Sequence, residues 1–384
     1  MTNSGTPSDD HTDPLDAICR AAANESGDVD QVVRRVAAIV APLATAEERA
    51  RLVDGALARL TGFDDLQVLI DDATVDEVLV NRDGHILIDR NGRLVRAGTI
   101  TTSRLLAAIE RALAPIGRRV DRTSPIVNAR LPGGHRMCAV LPPASPEGPV
   151  VAVRRFADHH RPLTDFTDDA GLSACRQLLG RRANIVVSGG TSSGKTSLLA
   201  ALLAELDHDE RIVVVEDTAE LPIRRNGAVR LETRPPAANG PAAITMLDLV
   251  RTALRLRPDR IVVGEVRGDE VVALVQAMNT GHDGSCSTCH ANSATDALVR
   301  LETLIMQAAP SWPLPAIRRQ LSGSIDAVIH LARHRSGHRR IVEVVELVPT
   351  DDGARPIEST QLAVLVNETL TLVAEPSRTR GGHR

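Results

Sequence analysis

From Leu15 to Leu60 apolar residues recur at intervals of three and four, as in VVRRVAAIVAPL, which predicts helices. The pattern then changes to short apolar runs broken by Asp83-Gly84 and Asn91-Gly92, dipeptides that favour tight turns. VDEVLVNRDGHILIDRNGRLV therefore reads as an antiparallel meander. An amphipathic helix, RLLAAIERALAPIG, and further strand-like pieces ending at VVAVRRF complete an α+β domain over 15–155. Periodicity is lost in FADHHRPLTDFTDD, so 156–168 is the expected linker. A second domain, 169–372, alternates continuous apolar runs with helical patterns, the signature of a buried, mostly parallel sheet. In it NIVVS, RIVVVED and RIVVGEVRG read as strands, and SIDAVIHLARH with RIVEVVELV as a closing strand pair. The polar ends, 1–14 and 373–384, are expected to be disordered.

The chemistry concentrates where NIVVS meets GGTSSGKT and then the helix SLLAALLAEL. Gly189, four residues, Gly194, Lys195 and Thr196 satisfy the phosphate-loop spacing, in the strand-loop-helix context that spacing needs. Glycines let the backbone N–H groups of Gly189, Gly190, Thr191, Ser192, Ser193, Gly194 and Ser197 curl about phosphate oxygens, and the helix start adds its positive end. Lys195 is expected to reach the β and γ phosphates, and the Thr196 hydroxyl to meet Mg²⁺. Of the 45 basic residues one is lysine, and it is Lys195. Where the chain otherwise uses arginine, a compact ammonium has been kept at the one position whose chemistry requires it.

Other strand ends carry acids. RIVVVED closes on Glu216 and Asp217, with Glu220 just beyond, and RIVVGEVRG closes on Glu265, followed by Arg267. The carboxyl ends of parallel strands are where such sheets bind ligands. Glu265 is the candidate to orient or deprotonate an attacking water, since phosphoryl transfer asks a protein chiefly for positioning and charge stabilisation.

Composition narrows the partners. At 384 residues and 43% hydrophobic the chain can bury two cores. It shows neither a signal peptide nor a run long enough to span a bilayer, so a cytosolic protein is expected. A net charge of -4 and 1% aromatics argue against a direct nucleic-acid partner. Five scattered cysteines read as reduced thiols.

GGTSSGKT, VEDTAEL, RPDRIVVGEVRG and TGHDGSCSTCHAN resemble, in order and spacing, the four nucleotide-site boxes of the type II/type IV secretion ATPase superfamily. The resemblance runs from about residue 70 to about 350, and the connecting text looks most like the CpaF branch, the tight-adherence or Flp-type pilus ATPases. It implies a RecA-like P-loop ATPase core with a smaller N-terminal α+β domain, using ATP and Mg²⁺. Lys195 and Thr196 correspond to Walker A, Glu216, Asp217 and Glu220 to the Asp box, Glu265 to the atypical Walker B glutamate, and His282 and His290 to the His box. The metal is expected at Thr196, Glu216 and Glu265. The resemblance further implies that arginines reach the nucleotide across domain or subunit borders, with Arg118, Arg119, Arg130, Arg136, Arg230 and Arg234 as candidates. It also implies a homohexamer docked at the inner face of the plasma membrane on an inner-membrane platform protein of a secretion or pilus system.

Cys286 to His290 spell the C-x-x-C-H of c-type haem attachment. Without an export signal, and with His290 already in the phosphate-sensing pattern, that reading is rejected. A zinc site from Cys286, Cys289, His282 and His290 is the weaker alternative, and buried thiols the commoner case. Two other function classes are a RecA-like nucleic-acid motor of conjugal transfer and a nucleotide-gated scaffold that binds ATP without hydrolysis. The first lacks a basic stacking groove, and the second would need a damaged catalytic box.

Overall fold

The structure is a computed structural model, described for residues 13–90, 92–156, 161–223, 225–234, 242–333, 338–366, 369–378 and 380. The chain divides into two compact units, Met1–Ala157 and Asp158–Arg384.

The first unit opens on three helices, α1 (Pro14–Ala22), α2 (Val29–Val40) and α3 (Ala46–Thr61). Each starts on a residue whose side chain accepts a backbone N–H of the first turn: Asp13, Asp28 and Thr45, the last in a reciprocal box with Glu48. Their apolar stripes close on Ile18, Val33, Ala37 and Ala56. Next come α4 (Leu66–Asp71), β1 (Glu77–Val80), β2 (His85–Arg90), β3 (Arg93–Thr99), α5 (Thr102–Leu113), β4 (Ile126–Arg130), β5 (Arg136–Val140) and β6 (Val150–Arg154). The six strands form one antiparallel sheet in the order β3-β2-β1-β6-β5-β4. Alternate residues (Val78, Val80, Ile86, Ile88, Met137, Val151, Val153) share a core with Leu66 and Ile70 of α4 and Leu105 and Ile109 of α5. The predicted meander is present as β1–β3.

The second unit contains α6 (Asp169–Gly180), β7 (Ile185–Gly189), α7 (Lys195–Ala204), β8 (Ile212–Glu216), β9 (Val229–Glu232), α8 (Met246–Ala253), β10 (Arg260–Val263), α9 (Glu270–Asn279), β11 (Cys286–His290), α10 (Ala294–Ala308), α11 (Leu314–Ser324), β12 (Ala327–Arg333), β13 (Arg339–Leu347), β14 (Ser359–Val366) and β15 (Thr369–Leu372). One nine-stranded sheet runs β15-β14-β13-β12-β7-β11-β10-β8-β9. The six strands from β12 to β9 are parallel, and β13, β14 and β15 extend them antiparallel. The strands β7, β8 and β10 are buried along their whole length because helices cover both faces. The helices α6 and α7 pack with Val187, Val214 and Leu331 on one face; α8 to α11 pack with Val186, Val215 and Val263 on the other. α7 is apolar on nearly every side, so it sits inside the unit rather than on it.

Three boundary expectations are revised. Asp13 and Pro14 belong to α1, while the rest of the expected N-terminal tail, 1–12, lies outside the described residues. Of the expected linker, 157–160 also lies outside them, but Leu163 and Phe166 are 1% exposed in the α6–α7 core, and Ile341 N donates to the Phe166 carbonyl at 2.8 Å. Polarity along that stretch hid two apolar anchors. The stretch from 373 is not a free tail where it is described. Arg380 Nε donates to Asp326 Oδ2 at 2.7 Å, Arg378 Nη1 to the carbonyls of Ser322 and Ile325 at 2.9 and 2.8 Å, and Ser377 Oγ to Glu346 at 2.6 Å. Asp326 is 1% exposed, and its buried charge is answered by two guanidinium groups from the chain end.

Candidate nucleotide site

The loop between β7 and α7 leaves the sheet at its carboxyl edge, and its backbone is of the kind a phosphate cradle needs. Ser192 and Gly194 have φ of 56° and 97°. A methyl group on Gly189 would come within 2.5 Å of the Leu331 carbonyl oxygen, so that glycine is required by close approach; Gly194 is required by its positive φ, and a methyl there would lie 2.6 Å from the flexible Arg339 side chain at Cδ. Lys195 folds back over the loop, donating to the carbonyls of Gly189 at 3.0 Å and Gly190 at 2.9 Å. Thr196 follows it in the first turn of α7.

His290, the last residue of β11, reaches this loop from the neighbouring strand. Lys195 Nζ donates to its Nδ1 at 3.4 Å, and the Thr191 hydroxyl lies 3.1 Å from its Nε2. An ammonium can only donate, so Nδ1 is the acceptor and Nε2 carries the proton. Burial, and then the Lys195 charge, hold the imidazole below its usual pKa, which keeps it neutral. The same Nδ1 lies 3.9 Å from Glu265 Oε1, just past the end of β10, a proximity rather than a hydrogen bond while Nδ1 is unprotonated. Glu265 accepts from Arg267, which also lies 3.9 Å from Asp217 beyond β8. A continuous line of side chains, Lys195, His290, Glu265, Arg267 and Asp217, thus crosses the ends of four strands. One strand, β11, separates the β7 loop from the Glu265 strand, and its terminal imidazole bridges the gap.

Glu216, 4% exposed at the end of β8, leans over Gly264, where a methyl group would come within 2.8 Å of its Cγ. Its Oε1 accepts from the backbone N–H of Glu220 at 2.9 Å and Leu221 at 3.0 Å, which fixes the turn carrying Glu220. Burial raises its pKa in spite of those two bonds. A carboxyl raised in the folded state stabilises the fold while protonated and costs stability as pH rises through its shifted pKa. Glu216→Gln is therefore expected to raise the melting temperature of the nucleotide-free protein at neutral pH by about 2–4 °C, the change that about 1 kcal/mol makes in a unit of this size. Differential scanning calorimetry measures it; an unchanged or lower temperature would mean the ionised form is well accommodated.

Not every expected residue arrives. His282 lies before β11, at the amino edge of the sheet, with its Nδ1 3.3 Å from the Ala277 carbonyl oxygen; it is corrected to a residue of the α9 end, because β11 carries the chain away from it across the sheet. Cys286 and Cys289 fall into cores on opposite faces of that sheet, so they cannot ligate one metal or hold one haem. Burial pushes each thiol up to about 11 and keeps it protonated. Arg230 donates to the Ile223 carbonyl from the middle of β9, while Arg234, just past its carboxyl end, donates to the Ala242 carbonyl. The edge strand β9 is four places from β7, about 19 Å, so neither arginine stands at the loop of its own chain. In the first unit Arg130 and Arg136 are directly opposed on β4 and β5, and Arg154 on β6 is opposed to Arg136, three guanidinium groups in one row. Arg118 and Arg119 follow the left-handed Gly117 after α5. Among the described residues no three His, Cys, Asp or Glu form an all-protein metal cage. Mg²⁺ is suited by fewer carboxylates plus phosphate oxygens and water, and Thr196, Glu265 and Glu216 are of that kind. No described helix is long and apolar enough to cross a membrane.

Comparison with known proteins agrees with this geometry. The family model described as type II/IV secretion system protein matches residues 60–372. The chain is 38% identical over 294 residues to the conjugal transfer protein TrbB of Rhizobium radiobacter, covering 74% of this chain and 87% of that one. It is 33% identical over 303 residues to the type IV secretion system protein PtlH of Bordetella pertussis, covering 70% and 89%. Among solved structures, the Yersinia pseudotuberculosis ATPase DotB is similar with a TM-score of 0.54 at 16% identity over 74% of this chain and 80% of that one. The pilus retraction motor PilT, solved with ADP, has a TM-score of 0.51 at 17% identity over 80% and 82%. At such identities the two structures speak for the fold alone. The sequence relatives and the family match cover most of the chain, and on that ground the chain belongs to the type II/IV secretion system protein family.

Proposed function

We propose that this protein is an Mg²⁺-dependent ATPase that works as a ring-forming motor of a secretion, conjugal-transfer or pilus machine. The observation that carries the reading is the single imidazole of His290, whose Nδ1 accepts from the phosphate-loop lysine at 3.4 Å and stands 3.9 Å from the Walker B glutamate. The nucleotide is read by Lys195 and the loop backbone, and water is oriented by Glu265, whose own position is held by Arg267. Mg²⁺, assigned to Thr196 with Glu265 and Glu216, would neutralise charge between the β and γ phosphates. His290 leaves one arrangement for another when the γ phosphate departs, and α10, which begins four residues later, carries that change outward. Arg118, Arg119, Arg130, Arg136, Arg230 and Arg234 are assigned to a nucleotide held by another domain or subunit. Membership of the family supports a homohexamer at the cytoplasmic face of the membrane, docked on a platform protein. Relatives named for conjugal transfer favour a transfer machine over a pilus of the tight-adherence type, and the chain's charge of -4 favours protein over nucleic acid as the surface it grips.

ATP hydrolysis by the purified protein is measured as its concentration rises, beside Lys195→Ala. Activity per subunit that climbs with concentration, and is lost at least about a hundredfold in the variant, is expected for sites completed between subunits. Tight ATP binding without turnover would instead identify a nucleotide-gated scaffold.

A further inference from the structure

The phosphate loop has two flanks. On the β11 side stand His290 and Glu265. On the other side β12 runs parallel to β7 with Leu331 opposite Gly189, and β13 pairs with β12. The residues of these two strands that face α7, Ile329 and Leu331 on β12 and Ile341 and Val344 on β13, share a core with Leu198 and Leu199. Continuing the alternation past the end of β7, the next positions on that same face are Arg333 and Arg339, and the register places them directly opposite one another. The apolar row thus turns into a pair of guanidinium groups where it draws level with the loop. The contact is direct: Arg339 Cδ is the atom a methyl group on Gly194 would strike at 2.6 Å, with Nε and Nη1 at 3.2 and 3.5 Å from the same point.

We propose that Arg339, with Arg333 beside it, binds the phosphate chain of a nucleoside di- or triphosphate at its α-phosphate end. The proposal deepens the nucleotide reading and rests on it. The groups that act on water, Glu265 and His290, lie on the β11 flank, so the terminal phosphate belongs there and the remainder of the chain is directed toward the β12 flank. Both guanidinium groups, and the positive end of α7, would attract a polyphosphate held on the loop. Arg339 would also couple the closing hairpin of the sheet to the presence of nucleotide, since its stem lies on the residue that begins α7.

The experiment is calorimetric titration of ADP with Mg²⁺ into the full-length protein and into Arg339→Gln, Arg339→Lys and Arg333→Gln, with melting curves of each in the absence of nucleotide. Loss of one charged hydrogen bond predicts ADP affinity weaker by about tenfold to a hundredfold in Arg339→Gln, with the kinetic effect falling on KM rather than kcat. Arg339→Lys keeps both the charge and the stem over Gly194 and is expected to recover most of the affinity, and Arg333→Gln to lose less. ADP affinity within about twofold of the parent in Arg339→Gln overturns the proposal. So does a Lys variant as weak as the Gln variant with a lowered melting temperature, which would make Arg339 a packing residue of the loop. A parent protein that binds no ADP at all defeats the nucleotide reading itself rather than the role of Arg339.

Discussion

Glu265→Gln is expected to lower kcat by about 10²–10⁴-fold while ADP affinity stays within about threefold. The carboxylate lies just past the end of β10, 3.9 Å from His290, and the bonds Lys195 donates to the loop carbonyls do not depend on it, so the loop that holds the phosphates is expected to survive its neutralisation. On the proposed mechanism, what is lost is the anionic oxygen that takes or aligns a proton of water beside the loop. A glutamine keeps the shape and still accepts from Arg267, so Arg267 stays anchored and the loss is chemical rather than structural. Arg267→Gln separates the two effects. It frees the carboxylate to wander and removes the tie to Asp217, and it should cost less than Glu265→Gln. Single-turnover hydrolysis with excess enzyme measures the chemical step directly. A Glu265→Gln rate within tenfold of the parent would place the water-activating group elsewhere, with Glu220 the next acid to test.

The phosphate loop was legible because its signal is local: a buried strand, fixed glycine spacing and a lysine standing alone among arginines. The strand ends at Glu216 and Glu265 were legible for a related reason, since continuous apolar runs such as IVVV mark central parallel strands and the first acid after each marks its exit. What the sequence could not show was order across the sheet. Nothing in the pattern says that β11 lies between the strands of Lys195 and Glu265, yet that placement is what lets His290 bridge them. The same blindness produced the error at His282. Two histidines in one glycine-rich box look equivalent, but the five residues of β11 advance the chain about 13 Å and leave the first at the wrong edge. The C-terminal arginines escaped for another reason. A polar stretch reads as solvated unless its partner is known, and the partner, Asp326, is buried some fifty residues upstream in sequence.

Arg260 is a further case, and removing its partner should have the largest effect on stability. It opens β10 at the amino edge of the sheet, is 2% exposed, and would be read from RPDRIVVGE as a solvated charge before a strand. Its Nε and Nη2 instead donate to the two oxygens of Glu210 at 2.5 and 3.1 Å, and its remaining donors reach the carbonyls of Gly284 at 3.1 Å and Leu179 at 3.3 Å. The fork ties α6, the turn before β8 and the turn before β11 to the strand that ends next to Glu265. Glu210→Ala leaves the buried Arg260 guanidinium without its carboxylate, a change that costs about 3–5 kcal/mol, and also removes the partner of the less buried Arg182. For a unit of this size the melting temperature should fall by about 10 °C or more. Because the pair stands at the edge opposite the phosphate loop, ADP affinity at low temperature is expected to persist, which separates stability from site chemistry. Replacing both partners, Glu210→Met with Arg260→Met, should recover most of the loss, since the expense lies in an unanswered buried charge and not in the absence of the pair. A double variant as unstable as the single one would show that the bonds to Gly284 and Leu179, not the ion pair, hold the amino edge together.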